Sequence, residues 1–135
     1  MISRPVYHGL DVGNYGNGTV RNVIISYGSL TVPAGDMHRT LPPTHSTLIS
    51  ESWSVAVPEE AIIKWTSDNG RAYEIVAPMR SLVGDLDSFH GFQFLFIDDH
   101  VDIYVLHRKK TNSKFLDVER SKAFSSSQSS AEHGD

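Results

Sequence analysis

The side chains of this 135-residue sequence that are suited to chemistry fall into a few clusters, each with a definite chemical meaning. Ser26, Ser29, Asp36 and His38 are the residue types of an acyl-transfer triad, in which a carboxylate orients an imidazole that takes the proton of a serine hydroxyl. The Gly-x-Ser-x-Gly elbow that commonly presents such a serine is absent. Any polar loop supplies the same residue types, so no catalytic residue is assigned and the chain is read as a non-enzyme. The run Asp98-Asp99-His100-Val101-Asp102 combines carboxylates with an imidazole, good ligands for a divalent ion. Asp85, Asp87 and His90 form a looser group without the spacing of an EF-hand. Both groups read first as solvated turns, and no metal is assigned. Gly9, Gly13, Gly16 and Gly18 lack the strand-to-helix setting of a nucleotide-binding fingerprint, so no cofactor is expected.

Composition narrows the function classes further. The absence of cysteine excludes disulfides, thiolate catalysis and every zinc site built on sulfur. A formal net charge of -4 disfavours long-range attraction to nucleic acid or an anionic membrane. The basic run His107-Arg108-Lys109-Lys110 has no interleaved aromatic residue and reads as a solvated strand end. No stretch reaches the roughly 18 apolar residues of a membrane span, and Met1 to Pro5 has no apolar segment of leader length. Hydrophobic residues at 39% and charged residues at 21% describe a folding chain.

The elements that would hold these side chains are short strands. Gly9 to Gly18 reads as a glycine-rich loop. Val20 to Tyr27 and Leu30 to Val32 form a hairpin about Gly28-Ser29, ended by Pro33. Pro33 to Ser50 has no period of either kind, and long loops of this sort are often functional. Glu51 to Val57 alternates, with Trp53, Val55 and Val57 on one face. Ala61 to Met79 is a hairpin about Asp68-Asn69-Gly70, where Asn-Gly predicts a type I′ turn. Trp65, like Trp53, is in phase with aliphatic neighbours and is expected in the core. After the polar loop Gly84 to Gly91, Phe92, Phe94 and Phe96 share a face, Asp98 to His100 turn the chain, and Val101, Ile103 and Val105 return. A helical turn is expected near Phe115 to Ala123. The fold class expected is all-β, an antiparallel β-sandwich, Ig-like or a partly closed barrel, over residues 1–120. A disordered serine-rich tail is expected over 121–135.

Loops on a rigid sheet are common recognition surfaces, and Met, Arg and aromatic residues are enriched in interface cores. Asp36, Met37, His38 and Arg39, with Asp85, Asp87, Phe89 and His90, are therefore the expected partner-binding residues. The central block Val57-Pro58-Glu59-Glu60-Ala61-Ile62-Ile63-Lys64-Trp65, then Asp68-Asn69-Gly70, then Ile75-Val76-Ala77-Pro78-Met79-Arg80, resembles small Gram-negative immunity partners of type VI secretion effectors, especially phospholipases. A glycine-rich segment and a strand ending in Ile25-Ser26-Tyr27-Gly28 precede it, and the likeness runs over about residues 7–106. The resemblance implies a β-rich inhibitor that binds a cognate secreted phospholipase and blocks its active site or substrate entry. It implies the periplasm, reached through a leader and often a lipid anchor that this chain lacks; a cytoplasmic location is the alternative. The alternative function is a structural or adhesive β-sandwich module of a phage or pilus.

Overall fold

The computed structural model describes residues 4–38, 49–109 and 118–126. Within them lie β1 (Val6–Asn14), β2 (Val20–Tyr27), β3 (Leu30–Met37), β4 (Ile49–Val55), β5 (Ala61–Thr66), β6 (Ala72–Ala77), α1 (Met79–Leu82), β7 (Phe89–Ile97), β8 (His100–Arg108) and β9 (Val118–Ser125). They build two sheets, one in the order β4-β1-β7-β8-β9 and one in the order β3-β2-β5-β6. All pairings are antiparallel except that of β1 with β7. The all-β sandwich follows from the alternation of Val23 and Ile25, of Ile63 and Trp65, and of Phe92, Phe94 and Phe96, all inward and buried. Rings lock the two layers together. Trp65 of β5 meets Phe96 of β7 edge-on with centroids 5.1 Å apart, and Tyr27 of β2 meets Phe92 of β7 at 6.4 Å. Burying each such side chain contributes about 1.5–3 kcal/mol.

Four expectations are corrected by the strands. The glycine-rich segment is largely strand, because β1 runs through Gly9 and Gly13. Here glycine serves close backbone approach: Gly9 is in register with Gly91 of β7, and a Cβ on Gly91 would fall 2.3 Å from the Gly9 carbonyl oxygen. Pro33 does not end β3, which continues to Met37. As β3 is an edge strand, the missing amide of Pro33 does no harm on the unpaired side. The hairpin of β5 and β6 forms, but only Gly70 of its turn takes positive φ, at 87°, so the turn is not type I′. Asn69 instead accepts hydrogen bonds through Oδ1 from the Ser67 hydroxyl and, at 3.0 Å, from the Arg71 amide. Lastly, β9 occupies 118–125, where a helical turn and the start of the tail were expected. A register shift between Ile103 and Tyr104 interrupts its pairing with β8, so its residues show no clean period of two. Phe124 packs against the core, and the buried Ser126 hydroxyl accepts the Val101 amide at 2.9 Å.

Candidate functional site

The strand directions give the sandwich two unlike ends. At the open end β1, β3, β5 and β7 finish while β2, β6 and β8 begin, and the segments Tyr15–Thr19, Ser67–Arg71 and Asp98–Asp99 converge. Between them lies a cleft of about 590 Å³ whose lining includes Asn17, Thr19, Asp68, Arg71, Tyr73, Asp98 and Asp99. Buried Asn14 fixes its floor. The side-chain amide of Asn14 donates to the carbonyls of Gly18 at 2.8 Å and Met37 at 2.9 Å, and its Oδ1 accepts the Gly16 amide at 3.0 Å. Asp98, at φ 55° in the exposed turn between β7 and β8, holds the first loop from the other side. Its Oδ1 accepts the amides of Asn17 at 2.9 Å and Gly18 at 3.3 Å, while its carbonyl accepts Trp65 Nε1 at 3.3 Å.

The cleft wall is aromatic and its rim acidic. Tyr73 stacks on the buried Trp65 with centroids 5.1 Å apart and planes inclined by 18°, which leaves the tyrosine little freedom. Asp68 and Asp99 remain mostly exposed, at 61% and 72% of their side-chain surface. Arg21 lies 3.7 Å from Asp36 and 3.9 Å from Asp68, an exposed chain of charges that contributes little stability. Among the described lining residues Asp68, Asp98 and Asp99 stand with Arg71 beside an aromatic face; Arg21 reaches Asp68 and His100 lies 3.3 Å from Asp99, yet both carboxylates stay mostly exposed, which suits a guanidinium or ammonium group.

The opposite end is closed. His8 of β1 donates from Nδ1 to the Val6 carbonyl at 2.8 Å, which leaves Nε2 to accept the Tyr27 hydroxyl at 2.7 Å across the sheets. Burial lowers the His8 pKa against the opposing effect of its bond to the Val6 carbonyl, and burial raises that of Tyr27. Around this pair, Arg80 of α1 donates to the Val57 carbonyl at 3.1 Å, and His107 Nε2 to that of Val83 at 2.6 Å. A smaller hollow of about 260 Å³ lies over Gly9, bordered by Tyr7, Ser52, His90 and Arg108.

The residues expected to meet a partner are divided between these ends. Asp36 and His38 adjoin the open cleft: Asp36 accepts the Asn22 amide at 3.1 Å, and His38 Nδ1 lies 3.2 Å from the Thr19 hydroxyl. Met37 between them is 5% exposed and belongs to the core, because the register shift against β2 at Gly35 changes the phase of β3, which has Val32 and Ala34 inward before it and Met37 inward after it. Arg39 lies outside the described residues. Asp85 and Asp87 are exposed near the closed end, where Asp85 accepts the Ser88 hydroxyl at 2.9 Å and the Asp87 carbonyl accepts Arg108 at 3.1 Å. Phe89 starts β7, is 1% exposed and packs on His8, so it is a core residue rather than a loop contact. His90 is half-buried at the smaller hollow. The triad drawn from Ser26, Ser29, Asp36 and His38 is likewise divided, because the serines lie at the Tyr27 end of β2. The acidic run also separates: Asp98 holds the cleft loop, whereas Asp102 is buried on β8, 3.4 Å from Lys122 and 3.7 Å from His100. Among the described residues no three histidine or carboxylate side chains form a metal-holding group. Asp68, Arg71 and Tyr73 were visible in sequence only as turn and strand residues, and Asp99 only as part of an acidic run weighed for a metal; their convergence is a property of strand order. Comparison with family models, curated proteins and solved structures finds no match for this chain.

Proposed function

We propose that the chain is a binding protein whose open end captures a basic side chain of a protein partner. The observation that carries this reading is the acid-rimmed cleft with its fixed aromatic wall, built from turns of both sheets. Its loops are held before binding by Asn14 and Asp98, so little ordering free energy is lost on association. An inserted Arg or Lys would find carboxylates at Asp68 and Asp99 and a ring face at Tyr73, the arrangement of an interface anchor.

The resemblance of the central block supplies the partner class: a secreted phospholipase of type VI secretion, bound in the periplasm and inhibited by occlusion of its active site or substrate entry. The hairpin at the centre of that resemblance, β5 and β6, contributes Asp68, Arg71 and Tyr73 to the cleft. A pulldown from the native strain tests the proposal. The expected result is a secreted phospholipase whose activity disappears at an equimolar ratio of this protein. Recovery of no secreted enzyme, or of one whose activity is undiminished, overturns it.

A further inference from the structure

The sequence contains two Asn-Gly pairs, Asn17-Gly18 and Asn69-Gly70, and the loops that carry them both border the open cleft. An asparagine before glycine holds a latent reaction: the glycine nitrogen, unshielded by a neighbouring side chain, is placed to attack the side-chain amide carbon of the residue before it. Sequence makes the two pairs equivalent; their surroundings do not. At Asn17-Gly18 both backbone amides donate to Asp98 Oδ1, at 2.9 and 3.3 Å. A carboxylate at that place opposes both the loss of the Gly18 amide proton and the negative charge that develops on the attacked amide oxygen. Gly18 is crowded as well, since a Cβ on it would fall 2.6 Å from Asp68 Cβ.

Asn69-Gly70 has the opposite setting. Asn69 Oδ1, the oxygen on which charge develops, accepts the Ser67 hydroxyl and, at 3.0 Å, the Arg71 amide. Two donors converging on that oxygen make the arrangement of an oxyanion hole. The Gly70 amide donates to the Ser67 carbonyl at 2.9 Å, which holds the nitrogen in the turn with a neutral acceptor in place of a carboxylate. Asn69 and Gly70 are exposed, and no described atom lies within 4 Å of the place a Cβ on Gly70 would take, so water reaches the site.

We propose that Asn69 is a self-modification site, converted to aspartate and isoaspartate while Asn17 stays intact. The Gly70 nitrogen gives up its proton to water and bonds to Asn69 Cγ; the Cγ–Nδ2 bond breaks, and ammonia leaves with a proton drawn from water, closing a five-membered succinimide. A second water opens that ring at either carbonyl. One product is aspartate, and the other is an isoaspartate in which the main chain runs through the former side chain. The balance is one water consumed and one ammonia released, without any change of oxidation state. Asn69 lines the cleft together with Asp68, so either product adds a carboxylate to the rim. The reaction itself does not rest on the proposed binding function.

The test incubates the full chain at neutral pH and follows its intact mass, with peptide mapping to locate each replacement of an amide by a carboxylate. In the folded chain, conversion at Asn69 is expected to outpace that at Asn17 by about tenfold or more. In urea, where only the shared Asn-Gly sequence remains, the two should convert at similar rates. Ser67→Ala removes one of the two donors and should slow conversion at Asn69 in the folded chain by about tenfold. A serine that only stiffens the turn would give the reverse, because a looser turn brings the nitrogen to the amide carbon more often. No conversion at Asn69, conversion at Asn17 as fast as at Asn69 in the folded chain, or a Ser67→Ala variant that reacts as fast as the wild type or faster, overturns the proposal. Each of these outcomes leaves the proposed binding function standing, since the pulldown tests it separately.

Discussion

The two ends of the sandwich use the same materials, backbone amides and carbonyls met by a few polar side chains, to opposite effect. At the closed end the buried polar groups are turned inward, His8 to Tyr27, His107 to Val83 and Arg80 to Val57, while Asp85 and Asp87 make their contacts at the surface. At the open end Asn14 and Asp98 do the corresponding holding, but Asp68, Asp99 and Tyr73 remain at the cleft surface. The difference teaches that a hydrogen-bonded clamp beneath a surface allows the surface above it to keep exposed carboxylates in loose pairs, Asp68 with Arg21 at 3.9 Å and Asp99 with His100 at 3.3 Å. Substitutions at the closed end should therefore change stability, and substitutions of the cleft rim should change binding alone.

The largest effect is expected at Gly91. Replacing it with Ala drives a Cβ into the Gly9 backbone, which has no flexible side chain to move aside, and should cost about 3 kcal/mol or more. Denaturant unfolding checks this, and a change below about 1 kcal/mol would remove the close β1-β7 approach from the account. Next, Asn14→Ala leaves the Gly18 and Met37 carbonyls and the Gly16 amide without their partner, for an expected loss of about 2–3 kcal/mol. It should also weaken partner binding, since it loosens the cleft floor; stability loss with unchanged affinity would separate the clamp from the site.

A smaller effect belongs to Tyr27→Phe, which leaves the acceptor nitrogen of His8 buried and unpaired at a cost of about 1–2 kcal/mol. This pair also makes the closed end sensitive to pH. Because burial lowers the His8 pKa, the unfolded chain takes up that proton first as pH falls. Its contribution to stability is complete above about pH 6.5 and declines as pH falls toward the folded value. Tyr27 is shifted upward, so its contribution is intact below about pH 10 and declines above that. Melting curves should show an acid-side slope that His8→Gln reduces, and an unchanged slope would contradict the assignment. The smallest stability effect is expected from Asp68→Asn combined with Asp99→Asn, which should leave the melting temperature unchanged.

How far the sequence reveals all this follows a physical division. Period-two runs such as Phe92 to Phe96 and Ile63 to Trp65 announce which faces meet, because a strand with one buried face must alternate. Where a register shift intervenes, as in β9, the alternation is erased and the strand reads as tail. Glycines mislead in the same way, since Gly9 is equally compatible with a loop and with the close approach it makes to Gly91. For the site, loop position alone selected Asp36 and His38 but also Met37 and Phe89, whose inward direction is set by the strands that carry them. Asp68 and Asp99 are separated in sequence and meet only because β5 and β7 both finish at the open end.

The most direct test of this account measures inhibition of the captured phospholipase by two double variants of equal charge change, Asp68→Lys with Asp99→Lys at the open end and Asp85→Lys with Asp87→Lys at the closed end. The account predicts that the first pair abolishes inhibition while the second retains it. Inhibition lost only with the second pair would place the partner at the closed end and contradict the account.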